Sequence, residues 1–169
     1  NIVGIDPTFT IGDIARQRQQ TILRLQQDGI IDMQRSISIP SLPRRIAVIS
    51  AAEAAGYGDF CHQLLNNKYG YAYNITLFNS IMQGEKAEES ILESLDKVLE
   101  RLSEFDVLVM IRGGGAVSDL DCFDGYNISA KPNKDGKYIV NTLGRVAVKT
   151  NLKELTNGDF AFGTVKVGF

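Results

Sequence analysis

The sequence predicts an α/β fold: a three-layer, mainly parallel sheet with flanking helices, flavodoxin-like or Rossmann-like, followed by a small β-hairpin segment at the C-terminus. Three observations predict it. Short β-prone runs, IAVIS (46–50), YAYNITLF (71–78) and DVLVMI (106–111), alternate with helical patterns. The last run is apolar without a break, as befits a strand covered on both faces. The four residues Arg112, Gly113, Gly114 and Gly115 leave that run where open parallel sheets hold their ligands.

Taken in order, residues 7–29 predict a helix. Thr10 is its expected cap and Asp13 belongs to its first turn. Ile11, Ile14, Ile22 and Leu25 share one face, and Gly29 ends it. Arg16, Arg18 and Arg24 with many glutamines make up the rest, either a solvated face or a contact for a polyanion. Pro40 and Pro43 forbid a helix in 39–45, which becomes a connector. After the 46–50 strand, small residues lead into a helix that begins near Asp59. The second strand, 71–78, is rich in β-formers. The clearest helix covers 84–103, with Ala87, Ile91, Leu95, Val98 and Leu102 recurring at spacings of four and three. From Lys131 onward the chain reads as short strands punctuated at Asp135-Gly136, Leu143-Gly144 and Asn157-Gly158. Three segments follow: 1–45, a lead-in helix and connector; 46–130, the α/β domain; and 131–169, a C-terminal β segment.

Composition narrows the function classes. At 169 residues the chain can bury a real core. No apolar run approaches a membrane span. The formal charge of −2 gives no global attraction to nucleic acid, so any polyanion site must be local. Cys61 and Cys122 have neither metal spacing nor a disulfide framework, and read as buried free thiols of a reducing cytoplasm. Asn1 is not a natural start and carries no signal-peptide pattern.

A strand order of 2-1-3 would make the loops after 46–50 and 106–111 neighbours. One loop runs from Ser50 to Asp59 and the other from Arg112 to Asp119. Glycines let backbone N–H groups approach a ligand, and Arg112 offers a fork that matches phosphate. Ser50 and Gly113 to Gly115 are thus candidate phosphate ligands beside Arg112. The stretch is not a P-loop, because no Gly-Lys-Ser/Thr follows. It is a poor dinucleotide fingerprint, because Ser118 stands where the third glycine belongs. A tight structural turn is the competing reading. No His, Cys or carboxylate cluster has metal-ligand spacing, so neither metal nor cofactor is expected.

RGGGAVSDLDCFD (112–124) resembles the signature of the exodeoxyribonuclease VII large subunit family. LPRRIAVISAAEAAGYGDF (42–60) resembles that family's segment ending in a catalytic aspartate, which falls on Asp59. IMQGEKAEESI (81–91) resembles its Gln-Gly-x-x-Ala stretch. Residues 6–32 resemble its lead-in helix and turn. The four segments match in order. The resemblance implies degradation of single-stranded DNA from either end into oligonucleotides, without a divalent metal. It also implies a small-subunit partner, held through a coiled coil absent from this sequence. Arg112 and the amides of Gly113 to Gly115 suit the stabilisation of transition-state charge, and Asp59 suits the orientation of water or acid–base work. A helix-start carboxylate is the other reading of Asp59, and of Asp119 and Asp121.

The resemblance has gaps. The family's downstream Gly-His-Glu-x-Asp motif has no counterpart after Ala130, and the one histidine, His62, lies upstream. Ala116 replaces a serine. Ala130 and Lys131 therefore read as non-neighbours in the natural protein, through a deletion or an unrepresented segment. A phosphate- or strand-binding module without catalysis, and a domain for a small phosphate ligand, are the two alternatives.

Overall fold

A computed structural model describes residues 7–31, 42–111, 123, 125–130 and 164–165. Its centre is β1 (Arg45–Ser50), whose last five residues are all buried. β2 (Asn74–Asn79) lies parallel on one side, in the register Ile46 to Ile75 and Ser50 to Asn79. β3 (Val107–Met110) lies parallel on the other, with Ile49 opposite Met110. β4 (Thr164–Val165) adds antiparallel to β3, so the order is β2-β1-β3-β4. The C-terminal segment thus reaches the same sheet, and the rest of its expected hairpin lies outside the described residues.

The sheet's two faces follow from the period of two along β1. Ile46 and Val48 point to one side, with Val107 and Val109, and are covered by Tyr57, Phe60 and Leu64 of α2 (Ala55–Leu65). Ala47 and Ile49 point to the other, with Leu108 and Met110, and are covered by Ala87, Ile91, Leu95 and Val98 of α3 (Ala87–Glu100). The crossover from β1 to β2 steps one way and that from β2 to β3 steps back. Crossovers of one hand must then place their helices on opposite faces. A hydroxyl pair, Ser80 and Ser94 at 2.6 Å, joins the end of β2 to α3 inside the core.

The strand starts are held by charge. Asp106 accepts from the amides of Arg44 and Arg45, each at 2.9 Å, and from the Arg45 guanidinium at 2.9 and 2.5 Å. The Arg45 guanidinium, then the backbone amides, hold the Asp106 carboxyl down at about 2.

α1 (Pro7–Gln27) begins three residues before Thr10. Proline suits a first helical position, because its missing N–H would have no partner there. Gly29 ends the helix as expected, at φ +69°. Ile30 N–H donates to the Leu25 carbonyl and Gly29 N–H to that of Gln26, which satisfies two orphan carbonyls. Leu25 and Ile30, both fully buried, pack against Ala130 and Tyr126. Tyr126 opens the short α4 (Tyr126–Ser129); the Arg24 guanidinium lies 3.6 Å from its ring centroid, and its hydroxyl donates to Asp28 at 2.5 Å.

Three expectations shift. α2 starts at Ala55, four residues before Asp59, because packing of Tyr57 and Phe60 overrides the helix penalty of Gly56 and Gly58. β2 starts at Asn74 rather than Tyr71, because Asn67 accepts the Tyr71 amide in a loop. Cys61 is half-buried rather than buried, while Cys122 lies outside the described residues. Among the described residues no helix is long and apolar enough to cross a membrane.

Candidate active site at the carboxyl edge of the sheet

β1 and β3 are neighbours with opposite next moves, β1 leading toward β2 and β3 away from it. This is a switch point, and open α/β sheets bind ligands at the carboxyl edge of such a point. The ends of β1 and β3 are joined there by a small residue and main chain. Ser50 is fully buried, and its hydroxyl donates to the Ile111 carbonyl at 2.6 Å. The Ile111 amide donates to the Ile49 carbonyl at 2.9 Å. Both main-chain polar groups of Ile111 are therefore tied to β1. Ile111 is the residue directly before Arg112, so the root of the glycine loop is fixed on the neighbouring strand.

The β1–α2 turn leaves the same edge. Asn79, at the end of β2, accepts from the Ala52 amide at 2.9 Å, and Ala54 N–H donates to the Ala51 carbonyl at 3.0 Å. Ala54 caps α2 without any side-chain hydrogen bond. The Tyr57 amide donates to the Ala54 carbonyl at 3.0 Å, which leaves the Ala55 and Gly56 amides, with the positive end of the helix dipole, as the donors this end can offer to an anion.

Asp59 stands in the second turn of α2, about 6 Å along the axis from Ala55. It is exposed, on the side away from Tyr57, Phe60 and Leu64, and its carboxylate bonds to no described residue. It is not a first-turn carboxylate, and α2 has none. His62 is exposed on the same helix face, three residues on. Tyr57 faces the sheet; its burial, and then the neighbouring Cys61 thiol, push its hydroxyl above the usual phenol range. Arg112, Gly113, Gly114 and Gly115 lie outside the described residues, as do Asp119 and Asp121.

Ser50 and the root of the Arg112 loop are thus brought together, with α2 starting nearby. The Ser50 proton that a phosphate contact would use is committed to Ile111. Two contributors escaped the sequence reading. The uncapped start of α2 was hidden by Ala-Ala-Glu-Ala-Ala-Gly, which looks like a loop. Asn79 was hidden because an asparagine at a strand end has many uses; its polar side chain just after an apolar run was the available signal.

A doubly wound α/β protein with a switch point between β1 and β3 is the class that the fold defines. The family model for exonuclease VII, large subunit, matches residues 30–131. The chain belongs to that family. It is similar to the exodeoxyribonuclease 7 large subunit of Nostoc sp., at 39% identity over 68% of this chain and 27% of that protein. It is similar also to the protein of the same name from Campylobacter fetus, at 31% identity over 70% of this chain and 30% of that one. The Campylobacter jejuni protein is 29% identical over 79% of this chain and 34% of its own length. The chain spans about a third of the length of the curated relatives it matches.

Proposed function

We propose that this chain supplies the phosphate-holding part of an exodeoxyribonuclease that hydrolyses single-stranded DNA into oligonucleotides. The observation that carries this reading is the anchoring of Ile111, which starts the Arg112 loop on the β1 neighbour, beside the uncapped end of α2. A scissile phosphate at the carboxyl edge meets donors from two sides: the α2 amides, and Arg112 with the amides of Gly113 to Gly115. Phosphoryl transfer gathers negative charge on the equatorial oxygens, and fixed donors there lower the barrier. Asp59 orients the attacking water or takes its proton. Water oxygen forms the new P–O bond, the ester P–O bond breaks, and the leaving oxygen gains a proton. Ser50 is a positioning residue that holds Ile111.

In this reading the reaction needs no divalent metal and proceeds in the cytoplasm. A small subunit joins through a coiled coil outside this sequence. The missing downstream histidine motif leaves this chain by itself a binder rather than a cutter. The test is a nuclease assay in EDTA on end-labelled single-stranded and duplex DNA, comparing the complete large subunit plus small subunit with this chain alone. Short oligonucleotides from the single strand alone, made by the complete enzyme, are expected. Cleavage of duplex DNA, or none without added metal, contradicts the reading.

A further inference from the structure

The loop between α2 and β2 sits at the opposite, amino edge of the sheet and is unusually well tied. Half-buried Asn67 uses both ends of its amide. Its Nδ2 donates to the carbonyls of Leu64 (2.8 Å) and Tyr71 (2.7 Å). Its Oδ1 accepts from the amides of Tyr69 (3.2 Å) and Tyr71 (3.0 Å). Gly70 takes φ +70°, which lets the chain turn between the two tyrosines. This small scaffold presents large rings to water: Tyr69 is 69% exposed and Tyr71 48%. Their centroids are 6.0 Å apart with the planes tilted by 37°, so they are adjacent without covering each other's faces. Lys68 places its Nζ 5.0 Å from the Tyr69 ring centroid.

The loop continues directly into a second feature. The Asn74 amide donates to the Arg44 carbonyl at 2.7 Å, which sets Tyr73 beside Arg44. An open pocket of about 430 Å³ lies there, lined by Arg44, Arg45, Tyr73 and Asp106 among others. Its one carboxylate, Asp106, is already paired with Arg45. The exposed Arg44 lends only its main chain to these bonds, and its guanidinium bonds to no described residue. Lys68 likewise has no carboxylate partner among the described residues. The edge therefore offers Lys68 against the exposed Tyr69 ring and Arg44 beside Tyr73, neither with a carboxylate partner among the described residues.

We propose that this edge is a second strand-holding surface, where unpaired bases stack on Tyr69 and Tyr71 and the backbone phosphates run past Lys68 and Arg44. The proposal rests on the single-strand reading above. Rings beside cations are the chemistry that binds single-stranded nucleic acid without sequence preference. Rings held by a rigid loop lose little freedom when a base covers them. Duplex DNA keeps its base faces inside the stack, so the surface selects single strands. β2 is six residues long, which puts this edge about 17–20 Å from the carboxyl edge. One strand can engage both.

The test measures binding of a fluorescein-labelled phosphorothioate oligothymidylate to the complete large subunit by anisotropy. The Tyr69→Ala/Tyr71→Ala variant should bind roughly tenfold to a hundredfold more weakly, and Tyr69→Phe/Tyr71→Phe close to wild type. Arg44→Ala/Lys68→Ala should lower the steepness of the salt dependence by about 0.7 per lost phosphate contact. Unchanged affinity in the alanine variant, with wild-type binding intact, overturns the surface and leaves the single-strand reading standing. Unchanged affinity with an altered oligomeric mass, or with a lower melting temperature, assigns the tyrosines to a protein contact and overturns it too. No strand binding by wild type overturns both.

Discussion

The carboxyl and amino edges of one sheet are built from different chemistry. At the amino edge of β1 and β3, the carboxylate of Asp106 gathers four hydrogen bonds from Arg44 and Arg45, and the strands are stapled by charge. At the carboxyl edge the same two strands are joined by a serine hydroxyl and main-chain bonds, over a helix end with no side-chain cap. A charged staple there would occupy the donors that a phosphate needs. In the proposed reading, the neutral, small-residue junction leaves the Ala55 and Gly56 amides for a phosphate. The contrast teaches that one strand pair can be fixed by a charged cluster at one end and by a single hydroxyl and main chain at the other.

The comparison can be broken at either end. Arg112→Ala in the complete enzyme has the largest expected effect, a fall in turnover of roughly 100-fold, comparable to the loss of one oxyanion donor. Arg112→Lys should recover little of it, because an ammonium lacks the fork. Single-turnover cleavage of a labelled strand reads both. Asp106→Ala should cost about 1–2 kcal/mol in urea unfolding, held down by the partial exposure of Arg45, with turnover at saturating strand unchanged. A large loss of turnover in that variant would mean that the two edges are not separable. Ser50→Ala should cost about 1 kcal/mol and lower turnover several-fold, through a loosened Ile111 rather than a lost ligand. Its strand affinity should be preserved, and a loss there would return Ser50 to the phosphate.

The smallest effect is on pH dependence. Folding depresses the Asp106 carboxyl to about 2, below its unfolded value of about 3.9. Its stabilising contribution is therefore complete above the unfolded value and is lost as the pH falls from about 4 through about 2. Wild type should lose stability across that window more steeply than Asp106→Asn. Parallel acid-unfolding curves would remove the staple from the account.

Much of the framework could be read from residues alone. The unbroken run before Arg112 gave β3, and the spacing of Ala87, Ile91, Leu95 and Val98 gave the buried face of α3, because burial on one side leaves a periodic trace. The start of α2 could not be read, since Gly56 and Gly58 speak against a helix until Ile46 and Val48 supply a surface for Tyr57 and Phe60. The start of β2 was hidden for a related reason: Tyr71 and Tyr73 favour strands, yet one asparagine four residues before Tyr71 captures its amide. At the site, the loops' adjacency followed once the strand order was supposed. The pairing of Ser50 with Ile111, 61 residues apart, left no local trace. The same holds for Arg45 and Asp106.

The most direct measurement is a structure of the complete enzyme with an uncleavable phosphorothioate single strand bound. A backbone phosphate is expected at the carboxyl edge, within hydrogen-bond distance of the Ala55 and Gly56 amides and of Arg112, with Ser50 still bonded to Ile111. A strand whose only protein contacts lie elsewhere, with that edge empty, would contradict the phosphate-holding reading.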